Sequence, residues 1–187
     1  MVLAAWRYRP PLDQVVLAFK YGRLEYLGAH LARGIVRRHG AELAAADAVV
    51  PMPLPWWRRV RRGFNQAEAI AAPLAATLGL PLVDALRRGW APRQTRLARS
   101  ARRRNLEAAF RFAPSARRWA AGAVSGAAAR PAAPDESGRT GAHVLLVDDV
   151  ITTGATMEAA AACLIAAGVG RVTGVAAART PHWRDGP

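Results

Sequence analysis

An α/β fold built on an open, mostly parallel sheet with helices on both faces is what this 187-residue sequence predicts. Three observations carry the prediction. Strand-like apolar runs alternate with helical periods along the chain. The strongest run, Val144 to Val147, is apolar at every position, as a strand buried on both faces requires. A turn rich in glycine and threonine then leads directly into a helical segment. With 52% hydrophobic residues, the chain is long enough for one substantial core and short for two, so a single domain over residues 1–187 is expected.

The elements follow in order. Leu12, Val15, Val16 and Phe19 recur at helical spacing, and Leu24, Leu27, Leu31 and Ile35 do so again, predicting two N-terminal amphipathic helices ahead of any strand. Residues 48–51 are the first strand candidate, followed by an arginine-rich loop to Arg62. Asn65, with Glu68 three residues on, starts a helix whose apolar face is Ile70, Leu74 and Leu78; Pro73 is placed to kink it and Gly79 to end it. Residues 81–83 form a weak second strand and residues 86–111 an arginine-rich excursion. Residues 113–141, rich in Ala, Gly, Ser and Pro without an apolar period, read as a flexible insertion with no assigned function. Met157, Ala160, Ala161, Leu164 and Ile165 mark a helix that Gly168 ends, and residues 171–178 close the pattern as a strand.

The chemistry concentrates in residues 143–156, H-V-L-L-V-D-D-V-I-T-T-G-A-T. Asp148 and Asp149 are expected at the carboxyl end of the buried strand. Thr152, Thr153, Gly154, Ala155 and Thr156 follow, with small residues whose backbone N–H groups are free to surround an anion at a helix N-terminus. Carboxylates repel phosphate but accept hydrogen bonds from vicinal hydroxyls. The combination therefore fits a ligand with both a sugar diol and a phosphate, such as a ribose 5-phosphate. The bland alternative is a strand end and a capped helix. A nucleoside-triphosphate P-loop is not expected, because that pattern ends in Gly-Lys-Ser/Thr and the only lysine, Lys20, lies far away in the sequence.

Composition narrows the remaining classes. No apolar run approaches the roughly 20 residues that span a bilayer, and the start does not read as a signal peptide, so no membrane insertion and a cytoplasmic location are expected. The single cysteine, Cys163, cannot supply a four-ligand zinc site, and His30, His39, His143 and His182 lack ligand spacing. The net charge of +14 suits nucleic acid, yet 26 of the 27 basic residues are arginine, which points as much to a coding bias as to a partner. The arginines cluster at Arg58, Arg59, Arg61 and Arg62, and again between Arg93 and Arg104. Trp56 and Trp57 beside the first cluster suit single-stranded nucleic acid, whereas a solvated surface is the plain reading of both clusters.

Residues 143–156 resemble the phosphoribosyl-pyrophosphate (PRPP) signature of type I phosphoribosyltransferases. Residues 49–66, V-V-P-M-P-L-P-W-W-R-R-V-R-R-G-F-N-Q, residues 94–110, Q-T-R-L-A-R-S-A-R-R-R-N-L-E-A-A-F, and Tyr21-Gly22-Arg23 are similar to blocks of the ComF/GntX family, linked with competence and DNA uptake. The resemblance implies a type I phosphoribosyltransferase fold and transfer of phosphoribosyl from PRPP to an acceptor that the sequence does not identify. It implies that Asp148 and Asp149 hold the ribose hydroxyls near the developing positive charge, and that residues 152–156 hold the 5-phosphate. Met52, Pro53 and Leu54 would form the pyrophosphate loop, assisted by Arg58 or Arg62. Gln94, Arg103 and Asn105 would lie on a mobile loop, the alternative there being a surface helix with a basic face. Mg2+ would be held by substrate oxygens and water, not directly by the protein. A homodimer is implied, as type I relatives often pair. A non-catalytic PRPP or nucleotide sensor, and an accessory of DNA uptake that binds single-stranded DNA, are the alternatives. Two departures stand out: the N-terminal zinc ribbon of many members is missing from this sequence, either through true loss or because the sequence starts late, and Pro55 stands where relatives often have histidine.

Overall fold

Every residue from His143 to Val147 is buried, and successive side chains enter different cores: Val144 and Leu146 pack on one face of the sheet, Leu145 and Val147 on the other. Period-two burial on both faces is what a fully apolar run achieves only in a strand covered from both sides. Full burial of each such Leu or Val stabilises the fold by about 1.5–3 kcal/mol relative to exposure. In the computed structural model, which describes residues 1–89, 109–116, 119 and 141–180, this strand extends over His143–Ile151.

The element order is β1 (Val2–Arg7), α1 (Leu12–Tyr21), α2 (Leu27–Leu43), β2 (Ala48–Pro51), α3 (Trp56–Arg62), α4 (Gln66–Leu78), β3 (Leu86–Arg88), β4 (Phe110–Phe112), β5 (His143–Ile151), α5 (Ala155–Ala166) and β6 (Arg171–Arg179). The main sheet has the order β1-β6-β5-β2 with all its pairs parallel. Helices α1, α2 and α4 supply Phe19, Ile35, Ile70 and Leu74 to one core. Helix α5 supplies Met157, Ala160 and Leu164 to the other, with Leu86 and Phe110 from the antiparallel pair β3–β4.

Several expectations change. A strand, β1, precedes the two N-terminal helices. It is a sheet edge whose only partner among the described residues is β6, and its mixed burial leaves no period to read in isolation. The expected loop before Arg62 contains α3, a helix that buries none of its residues and leaves Trp56, Trp57 and Val60 exposed. The weak strand at residues 81–83 is a single parallel bridge, Val49 to Leu82. In the stretch expected as an insertion, Ala113 and Ala116 are core residues and Pro114–Ala116 forms a 3-10 turn, while residues 117–118 and 120–140 lie outside the described residues.

Helix α4 shows how sequence sets a contact. Asn65 Oδ1 accepts from the Ala67 N–H at 3.1 Å as the N-cap, and Gly79, at φ 67°, ends the helix. Pro73 lies inside the helix and has no N–H for the Ala69 carbonyl. Gly28 of α2 packs against that carbonyl: a Cβ there would overlap Ala69 O.

Candidate functional site

Strand β2 stops where β5 continues. The Met52 N–H donates to Val147 O at 2.8 Å as the final rung, and from Asp148 to Ile151 β5 pairs only with β6. The chain leaving β2 passes to α4 on one face of the sheet, and the chain leaving β5 passes to α5 on the other. Adjacent parallel strands whose connections diverge in this way leave a crevice at their carboxyl ends, the usual ligand position in such sheets.

The crevice is a cleft of about 270 Å³. It is lined by Asp148, Asp149, Val150 and Thr156, by Met52, Pro53 and Leu54 after β2, by Arg58 and Arg62 of α3, by Asn65, Gln66 and Ala67 at the start of α4, and by Lys20 and Arg88. A larger groove of about 870 Å³ follows the β1 edge past Arg9, Arg38 and Arg179. It contains no carboxylate among its lining residues, so the smaller cleft is where charges of both signs meet.

The two carboxylates have different surroundings. Asp149 is 8% exposed; its Oδ2 lies 3.1 Å from Lys20 Nζ, and its Oδ1 accepts the Val150 N–H at 2.7 Å. Asp148 accepts the Asp149 N–H at 2.8 Å. Burial first, and then the neighbouring Asp149, push the Asp148 carboxyl up to about 7, while the backbone bond, Lys20 and Arg88 pull the other way. Near neutral pH the cleft therefore holds a carboxyl able to exchange its proton beside one fixed in an ion pair.

The cations are ordered by their surroundings. Arg88 lies 5.2 Å from the Phe110 ring centre, and burial, then the guanidinium of Arg58, lower its pKa while Asp148 opposes the shift. Arg58 stacks on Trp57 at 5.0 Å, and Arg62 lies 5.4 Å from the Tyr21 ring. Arg62 Nη1 donates to Gln66 Oε1 at 2.8 Å, leaving Gln66 Nε2 buried without a hydrogen-bond partner. An unpaired buried donor is costly, and an oxygen-rich ligand in the cleft would satisfy it. Asn65 Nδ2 donates to Met52 O at 3.1 Å, tying the loop after β2 to the start of α4.

Asp148, Asp149, Thr156, Met52, Pro53, Leu54, Arg58 and Arg62 thus line one cleft. Thr152 and Thr153 are exposed and outside its lining; the turn closes at Gly154, whose φ of 81° is the left-handed region, and Ala155 opens α5. The acids, expected at the carboxyl end of the strand, lie in the carboxyl-terminal half of a β5 that runs on to Ile151, and one local expectation is corrected: Arg58 and Arg62 belong to a helix instead of a loop. Gln94, Arg103 and Asn105 lie outside the described residues. Sequence reasoning missed Lys20, Arg88 and Gln66. Lys20 stands next to Tyr21-Gly22-Arg23, and its rarity was the only local signal.

Other polar groups serve the fold. His143 Nε2 meets Thr173 Oγ1 at 2.8 Å and Nδ1 meets Ala45 O at 3.2 Å, fixing the start of β5; burial is the main cause lowering its pKa. Cys163 packs against the α5 core, where burial raises the thiol pKa. Among the described residues no group of three or more His, Cys, Asp or Glu is placed to hold a metal ion, and no helix is long and apolar enough to cross a membrane.

A cleft at the sheet switch point, with paired acids followed by a T-G-A-T turn, matches what the family comparison finds: the phosphoribosyl transferase domain model matches residues 65–185. The chain belongs to the phosphoribosyltransferase family, as a ComF-type member. It is 31% identical over 174 residues to DNA utilization protein YhgH of Salmonella typhi, spanning 88% of this chain and 66% of that protein. It is 30% identical over 160 residues to Competence protein F of Haemophilus influenzae, spanning 81% of this chain and 60% of that protein. The chain thus covers about two thirds or less of these relatives' length. The crystal structure of TT1426 from Thermus thermophilus aligns with a TM-score of 0.41 at 22% identity, over 88% of this chain and 85% of that one.

Proposed function

We propose that the protein binds PRPP in the cleft between β2 and β5 and transfers its phosphoribosyl group to an acceptor. The observation that carries this reading is the meeting of Asp148 and Asp149 with Lys20, Arg58, Arg62 and Arg88 beside the turn that opens α5. A ligand with a diol and several phosphoryl groups uses both signs of charge. Asp148 and Asp149 would accept the ribose hydroxyls, while the amides of residues 152–156, at the start of α5, would hold the 5-phosphate, the Ala155 N–H exchanging its 3.5 Å contact with Thr153 Oγ1 for a phosphate oxygen. Met52, Pro53 and Leu54 with Arg58 and Arg62 would face the pyrophosphate, and Gln66 Nε2 would gain an oxygen partner.

Mechanism follows from charge placement. As the bond between the anomeric carbon and pyrophosphate lengthens, positive charge grows on the ribose and negative charge on the leaving group. Carboxylates beside the first and guanidinium groups beside the second stabilise both, and fixed positions avoid reorganisation during the step. The donor set also suits magnesium. Asp149 is engaged by Lys20, and Arg58, Arg62 and Arg88 line the same cleft, a set that fits a metal carried in on pyrophosphate oxygens and water. Bound there, magnesium would neutralise charge on the leaving group.

The relatives' names support an association with DNA utilization or competence. A second reading, single-stranded DNA binding, draws on α3. It buries no residue, and Trp56 and Trp57 are exposed beside Arg58, Arg59, Arg61 and Arg62. Pyrophosphate release from PRPP and magnesium, screened over bases and amines, tests transfer. Release dependent on one acceptor class is expected; PRPP binding without release under any acceptor would leave a sensor. DNA affinity that is flat with salt would reject the second reading.

A further inference from the structure

Lysine occurs once in this sequence. Arginine fills 26 of its 27 basic positions, and the exception, Lys20, is the residue paired with Asp149. In a chain with so strong a bias toward arginine, an ammonium at this place suggests that a guanidinium does not serve. The two differ physically. A guanidinium is planar and grips a carboxylate through a fixed fork, whereas an ammonium is a compact charge with rotatable donors on a flexible stem.

The surroundings suit such a cation. Lys20 lies in the last turn of α1, anchored by the fully buried Val16 and Phe19, so its backbone is held while its side chain reaches the cleft at 19% exposure. Arg58 and Arg62 from α3, Arg88 from β3 and Asp148 from β5 line the same cleft. Asp149 needs a partner at all times, because its carboxylate is buried and one oxygen is already engaged by the Val150 N–H. In this structure that partner is Lys20. Hydroxyls of a sugar diol replace it only if the released ammonium finds a new anion.

We infer that Lys20 is a partner-exchanging cation: it pairs with Asp149 before a ligand binds and moves to phosphoryl oxygens of the ligand as the ribose hydroxyls take over Asp149. This rests on the PRPP reading. It adds a condition of selectivity, because only a ligand with both a diol and anionic oxygens completes the exchange. Pyrophosphate alone leaves Asp149 bare, and ribose alone leaves the ammonium unpaired; both should bind more weakly than the sum of their contacts in PRPP suggests.

The single lysine makes the test direct. Protein labelled with 13Cε-lysine gives one side-chain signal, followed by NMR while PRPP and magnesium are added, with binding measured in parallel by calorimetry. The signal should differ between the wild type and Asp149→Asn before ligand is added, and should move on PRPP addition in the wild type. Lys20→Gln should weaken PRPP binding on the order of 10- to 100-fold, the loss of one charge-assisted hydrogen bond. Lys20→Arg, which keeps the charge and should keep the melting temperature, should still lose about tenfold. Calorimetric binding with a stationary lysine signal, or Lys20→Arg binding like the wild type, would overturn the exchange and leave the PRPP reading intact. Absence of PRPP binding by the wild type would overturn both.

Discussion

Replacing Asp148 by Asn removes a carboxyl that burial and the neighbouring Asp149 push well above its ordinary titration range. The amide is nearly isosteric and its oxygen can still accept the Asp149 N–H. In the folded protein the Asp148 carboxyl titrates at about 7, against an ordinary value of 3.8. A raised folded value means that the native state keeps its proton longer than the unfolded chain does. Stability therefore falls as pH climbs from about 4 to about 7 and levels off above that. Three units at 1.36 kcal/mol each set an upper limit on the order of 4 kcal/mol, and water in the open cleft screens part of it. Urea unfolding at about pH 4, 5.5, 7 and 8.5 checks this. Asp148→Asn should exceed the wild type by about 2–4 kcal/mol at the highest pH, with the pH-dependent part of the difference gone near pH 4. A difference independent of pH, or a variant less stable than the wild type at pH 8.5, would refute burial as the source of the shift.

Three further perturbations follow from the packing. Gly28→Ala drives a methyl into the Ala69 carbonyl and should lower stability by about 1–3 kcal/mol, read as a drop in melting temperature; an unchanged melt would show that α2 and α4 slide apart freely. Asn65→Ala removes the α4 cap and the tie to Met52 O, and should lose about 1–2 kcal/mol together with PRPP affinity; loss of stability without loss of affinity would detach this tie from the site. Gly154→Ala forces a side chain into the left-handed region at φ 81°, at a cost of about 1–2 kcal/mol, and should weaken binding of ribose 5-phosphate more than of pyrophosphate.

What the sequence disclosed and what it hid divide along contact distance. The buried core of β5, the cap at Asn65 and the end of α4 at Gly79 are written in adjacent residues, so pattern alone places them. The acids and the T-G-A-T turn are equally local, and their chemistry was readable before the fold was. Lys20 is different: it joins Asp149 only because α1 packs its Phe19 into the core shared with β5, a tertiary fact without a local signal. Arg88 reaches the cleft because β3 pairs with β4 across the residues that separate them. β1 owes its existence to β6, and α3, with no buried face, gives hydrophobic periodicity nothing to detect.

The central claim is that one cleft binds a ribose bearing several phosphoryl groups through its paired acids and its cations. Calorimetric titration of the wild type with PRPP and magnesium, repeated on an Asp148→Asn, Asp149→Asn double variant, tests it most directly. Saturable binding by the wild type, weakened about tenfold or more in the double variant, is the predicted result. No binding by the wild type, or equal affinity in both proteins, would contradict it.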